Sequence, residues 1–255
     1  MTKPARRLDP RQVADPEARA SGWEIGGGWS GFDLKNAPNE VPVSTYDFVA
    51  AEWGVPTVSQ SKIEQNTTTY SFFWIGLDGD NGICPKYCTV DGEHSDLWQA
   101  GTAQNVTNFH WGPWGIFSDT FSTYNAWSEF IPGQSPQVLP NFNVSPGDLM
   151  FGEVYVANAG GSPSLSGLFA IAFIEDLTKG EYEWVYNCRG LTDSSGNCTS
   201  EDQKPILGYQ AEWIMERPYE QGAISDLADY NQAWMYYPYA QTTGGAFANY
   251  SFLCY

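Results

Sequence analysis

Side chains an even number of residues apart on a β-strand project from the same face, and several segments of this chain set carboxylates or tryptophans together that way. In GYQAEWIMERP, Gln210, Glu212, Ile214 and Glu216 share one face, and Tyr209, Ala211, Trp213 and Met215 share the other. Pro218 lacks the N–H a ladder needs, which ends the strand there. In TYNAWSEFI, Trp127 and Glu129 lie with Asn125, and in SFFWIGLDGD, Phe72, Trp74, Gly76, Asp78 and Asp80 lie together. If these strands are neighbours, their common face is an acidic, tryptophan-lined groove of the kind that takes extended peptides or sugars. Carboxyl groups so placed are suited to general acid–base chemistry. Other catalytic sets are poorly supplied. The histidines are His94 and His110, read as surface or structural residues, and there is neither a Gly-x-Ser-x-Gly nor an Asp-Thr/Ser-Gly pair.

The elements that must position these groups read as strands. Of 255 residues, 26 are Gly and 16 Pro, and 16% are aromatic, a mixture that favours short strands between turns. Residues 1–21 are polar and rich in Pro, Ala and Arg, and are expected to be a flexible tail or propeptide remnant. Residues 22–255 are expected to form one all-β domain, an antiparallel β-sandwich of two large sheets. Helix-like stretches are expected at 37–53 and 223–234. The longest apolar run, Leu168 to Ile174, is far too short to span a bilayer as a helix and reads as a buried strand.

Charge narrows the partners. There are 30 acids and 12 bases, a formal net charge of −18. Five of the bases (Lys3, Arg6, Arg7, Arg11, Arg19) fall in the first twenty residues, so the body is more acidic still. Such a body repels nucleic acid and anionic membranes. With few cations it also escapes much of the self-repulsion that unfolds proteins in acid.

Five cysteines occur. Cys188 and Cys198 flank a Gly/Ser/Asp-rich hairpin end and are expected to pair. Cys84 and Cys88 could close a small loop, which leaves Cys254 over. The spacings do not suit a four-cysteine zinc site. Sequons at Asn66, Asn105, Asn143, Asn197 and Asn249 agree with an extracellular, secreted protein, although MTKPARRLD has no apolar signal core.

Several motifs in order resemble the glutamic peptidases, or eqolisins: GGWSGF from Gly27, WIGLDGD from Trp74, LWQAG from Leu97, YNAWSEF from Tyr124, SPGD from Ser145 and AEWIME from Ala211. The resemblance implies a concanavalin-like sandwich and endopeptidase activity in acid on unfolded or exposed polypeptide, with no metal or cofactor. A monomer is expected. Gln99 and Glu216 match the family's catalytic Gln and Glu, and Trp29, Trp74, Asp78, Trp127 and Glu129 match positions lining its cleft. Asn125 and Glu212 join them by strand alternation. An ionised Glu takes a proton from water and returns it to the leaving amine, while a Gln amide remains a donor in strong acid. The chain departs from the family pattern at Ala100, Ala103, Asn125 and Arg217–Pro218, changes that bear on substrate preference. A lectin-like sandwich or a glycosidase working through paired carboxylates is the alternative reading of the same face. The Glu-x-Asp-x-x-Glu strand common in sandwich glycosidases is missing.

Overall fold

The computed structural model describes residues 22–26, 29–35, 45–60, 67–79, 97–115, 117–131, 134–158, 160–204, 206–220, 223–230, 232–249 and 252–254. The expected tail, the Cys84/Cys88 loop, Asp80 and His94 lie outside the described residues. The strands are β1 (Gly22–Gly26), β2 (Trp29–Lys35), β3 (Tyr46–Gly54), β4 (Val58–Ser59), β5 (Thr67–Leu77), β6 (Leu97–Trp111), β7 (Phe117–Ile131), β8 (Gln137–Asn143), β9 (Leu149–Ala157), β10 (Phe169–Asp176), β11 (Glu181–Cys188), β12 (Gln210–Glu216), β13 (Tyr219–Glu220), β14 (Ala223–Ile224), β15 (Asp229–Tyr230), β16 (Trp234–Thr242), β17 (Phe247–Asn249) and β18 (Phe252–Cys254).

Among the described residues the strands form two seven-stranded sheets. The first runs β1-β2-β12-β5-β6-β7-β8; the second runs β11-β10-β9-β3-β16-β17, with β18 also on β16. The strand pairs described within them are all antiparallel, as the alternation anticipates. The expected sandwich is therefore observed.

The sheets meet over Trp53, Phe73, Ile75, Leu77, Trp98, Met150 and Trp213, all fully buried. Three indole N–H groups in this layer bond across to the opposite sheet. Trp213 donates to the Ala50 carbonyl at 3.0 Å, Trp98 to the Ile171 carbonyl at 2.9 Å, and Trp53 to Thr102 Oγ1 at 3.0 Å. A buried indole needs such a partner, and these bonds fix how the sheets sit on one another.

Both helix expectations are overturned. Tyr46–Gly54 is a strand, and residues 36–44 lie outside the described set. Its FVAAEW run lacks period-2 polarity because both faces are covered: Val49, Ala51 and Trp53 enter the inter-sheet core, and Phe48 and Ala50 join a cluster on the other side. In the 223–234 stretch, Ala223–Ile224 and Asp229–Tyr230 are short strands, paired with β13 and β4.

Candidate active site

The first sheet turns one face to the core and carries the candidate residues on the other. Alternation sends Trp213 and Met215 of β12 inward, and with them Phe73 and Ile75 of β5 and Trp98 of β6. Their neighbours Glu212, Ile214, Glu216, Trp74 and Gln99 then point away. Register orders this outer face into rows. One row runs Asp33, Glu212, Gly76, Gln99, Glu129; the next runs Gly31, Ile214, Trp74, Gly101, Trp127; the third runs Trp29, Glu216, Phe72, Ala103, Asn125.

Gln99 is buried, 3% exposed, and its amide Nε2 donates to Glu129 Oε2 at 2.7 Å. Glu216 is partly exposed, and its Oε2 accepts the Trp74 indole N–H at 2.7 Å. Glu129 and Glu216 are near enough to feel each other's charge. Burial pushes the Glu129 carboxyl up to about 7; the Gln99 bond opposes that rise and the Glu216 charge adds to it. The face therefore links an amide, a carboxyl that holds its proton near neutrality, and a carboxylate fixed by an indole. Such a set can orient and deprotonate water and present a donor to a developing oxyanion.

Aromatic and glycine residues set the floor beneath these groups. Trp74, Trp127, Leu97, Ala103 and Ile214 form a buried cluster with Phe72 and Ile131 against it, and the Phe72 and Trp127 rings lie 5.2 Å apart. Gly101 sits between the two tryptophans in its row. A Cβ there would fall 1.8 Å from the Phe73 carbonyl oxygen, so only glycine lets β6 approach β5 so closely.

The remaining expected residues divide. Asn125 lies half-buried opposite Ala103, at the row's end. Glu212 is on the expected face but is 1% exposed, with its carboxylate against Gly79. Trp29 is the register partner of Glu216 in β2; its side chain lies outside the description.

Asp78 requires a correction. β5 stops at Leu77, and Asp78 turns to a φ of 62°, so the alternation that put it with Trp74 no longer applies. Its carboxylate instead accepts the backbone N–H groups of Leu207, Gly208, Tyr209 and Gln210. Burial raises its pKa, and those four bonds counteract the rise. Asp78 positions the entry to β12, its carboxylate taken up by these four backbone N–H groups. Sequence reading missed Asp33, which is buried in the first row and accepts a hydrogen bond from Gln210 Nε2 at 3.3 Å. The alternation of Trp29, Gly31 and Asp33 in WSGFDLK was the available signal. The Cys188–Cys198 disulfide forms as expected, at the end of β11, the edge strand of the second sheet.

The sequence profile described as the peptidase A4 family matches residues 27–251. No curated protein sequence matches. Among solved structures the fold is similar to scytalido-glutamic peptidase with a peptide-based transition-state analogue, at a TM-score of 0.55 and 19% identity over 90% of this chain and 84% of that one. A second structure of that peptidase, with a transition-state-analogue inhibitor, gives 0.56 and 18% over 90% and 85%. SCP-B, a member of the eqolisin family of peptidases in complex with the tripeptide Ala-Ile-His, gives 0.52 and 19% over 90% and 84%.

Proposed function

The chain belongs to the peptidase A4 family and is a glutamic endopeptidase, a hydrolase acting on peptide bonds, and from that premise we propose that it works in acid through Gln99 and Glu216. Ionised Glu216 accepts a proton from the attacking water and delivers it to the departing amine nitrogen. The Gln99 amide steadies the water and the oxyanion of the tetrahedral intermediate, and remains a donor at any acidity. Trp74 holds the Glu216 carboxylate in place. Glu129, neutral below about 7, fixes the Gln99 amide without placing a second negative charge beside Glu216.

The observation that carries this reading is the run of contacts on one sheet face, from Gln99 to Glu129 and, through the charge Glu129 feels, to Glu216 and its Trp74 donor. The substrate is polypeptide. The Cys188–Cys198 disulfide supports an oxidising, extracellular setting, because such bonds are rare in the cytosol.

Digestion of a denatured protein from strong acid to neutral pH, with and without pepstatin, tests the proposal. Pepstatin-insensitive cleavage in the acid part of the series is expected. Glu216→Gln and Gln99→Ala should each lower kcat by about 10² or more with an unchanged circular dichroism spectrum. Retention of wild-type turnover by either variant refutes the pair.

A further inference from the structure

Beyond the Gln99/Glu216 rows, β6 and β7 continue together as a two-stranded ribbon. Among the described residues, β5 accompanies β6 as far as the Thr67–Asn108 pair, and β8 pairs with β7 at Asn125, Trp127 and Ser128. The ribbon keeps the alternation of the rows, so the face that holds Gln99 and Glu129 runs on through Asn105 with Thr123, Thr107 with Phe121, Phe109 with Asp119 and Trp111 with Phe117.

Along that continuation the side chains become aromatic and open. Phe109 is 48% exposed, Trp111 47%, Phe117 48% and Phe121 57%. Half-exposed rings of this size present on the order of 400 Å² of apolar surface, the range in which a patch marks a binding site. The patch is ordered: Trp111 stacks on Phe117 with ring centroids 4.6 Å apart, and its indole N–H bonds Asp119 Oδ2 at 2.9 Å. Residues 117–123 are all exposed, and their outer edge carries no strand among the described residues. Their backbone N–H and C=O groups on that edge are available to an extended chain.

We propose that the outer part of the β6–β7 ribbon is a distal subsite for the polypeptide substrate, taking an extended segment with apolar side chains several residues from the bond that is cut. It rests on the Gln99/Glu216 reading for the position of that bond. Continuity selects a polypeptide as occupant: the patch is the same sheet face, on the same two strands, as the hydrolytic residues, and it offers an open strand edge beside alternating rings. From Asn125, in the Glu216 row, Phe121 lies about 13 Å away and Phe117 about 26 Å at ~3.3 Å per residue. A substrate must extend roughly four to eight residues beyond the site to reach them. Short substrates miss the subsite altogether.

The experiment compares a six-residue fluorogenic peptide with two longer peptides of the same central sequence, each extended by twelve residues with Leu or Phe at alternate positions, one on the N-terminal and one on the C-terminal side. Wild-type kcat/KM should be about tenfold higher for one extended peptide than for the short one. The triple variant Trp111→Ala, Phe117→Ala, Phe121→Ala should lose that advantage through KM, with the short peptide's kinetics unchanged. These residues are exposed, so folding should survive, and short-peptide turnover reports it. If neither extension raises kcat/KM, or the triple variant keeps the advantage, the subsite is wrong. If the variant changes only sedimentation with phosphatidylcholine vesicles, the ribbon is a membrane contact and the proposal fails. Short-peptide cleavage that survives Glu216→Gln overturns the Gln/Glu reading instead, an outcome separate from the others.

Discussion

Glu129 is the residue whose ionisation has the clearest consequence. Its carboxyl is pushed up to about 7, chiefly by burial and further by the Glu216 charge, against the pull of the Gln99 bond. Below that pH the pair Glu129/Glu216 carries at most one negative charge; above it, two like charges are forced together on one face. Ionised Glu129 would also hold the Gln99 amide more tightly and keep it from an oxyanion. Wild-type kcat/KM is therefore expected to fall by about tenfold per pH unit above 7. Glu129→Gln cannot ionise and still offers a carbonyl to the Gln99 amide, so its profile should stay level past that point. Initial rates on a short peptide from pH 3 to 9 decide this, and superimposable neutral limbs for the two proteins would assign the fall to another group.

At the scale of elements, Asp78 ties the end of β5 to the segment that starts β12, the strand carrying Glu216. Four backbone N–H groups converge on its buried carboxylate, and the next residue, Gly79, has a φ of 124°. Truncation strands those donors, each costing about 1–3 kcal/mol when left unsatisfied and buried. Relaxation and water entry will recover part of that, so Asp78→Ala should lose about 3–5 kcal/mol in urea unfolding, with turnover at low temperature far less affected. A loss under 1 kcal/mol would mean the loop finds other partners. Asp78 also shows where alternation ceases to inform. WIGLDGD reads as one strand, and period two is right through Leu77, but the left-handed turn redirects the next side chain. The same rule placed Glu212, Glu216, Trp127 and Glu129 on one face and Trp213 in the core, because those strands run straight between turns. Gln99 came from motif order alone, since nothing in its alternation distinguishes it from other polar strand residues. The ribbon's signal in the sequence is the set of aromatics at 109, 111, 117 and 121 around a Gly-Pro-Trp-Gly turn. The FVAAEW segment misled because a strand buried on both faces has no polar period.

For the whole molecule, burial of acids makes acid a stabilising condition. Asp47 is pushed up to about 6 and Glu129 to about 7, in both cases mainly by burial, and burial raises Asp78 as well. A carboxyl whose folded pKa is raised binds its proton more tightly in the folded state. Its contribution is complete below the ordinary carboxylate pKa and is lost as pH climbs through the folded value. The window set by the two printed values lies between about 4 and about 7. The formal charge of −18 acts in the same direction, since self-repulsion present at neutrality fades toward the sequence pI near 4.2. Thermal unfolding should therefore give a Tm that rises as pH falls from 8 to about 4.5. The double variant Asp47→Asn, Glu129→Gln should flatten the slope between 5 and 7. A wild-type Tm that peaks at neutrality, or a double variant with the wild-type slope, would show that these buried carboxyls do not govern the molecule's response to pH.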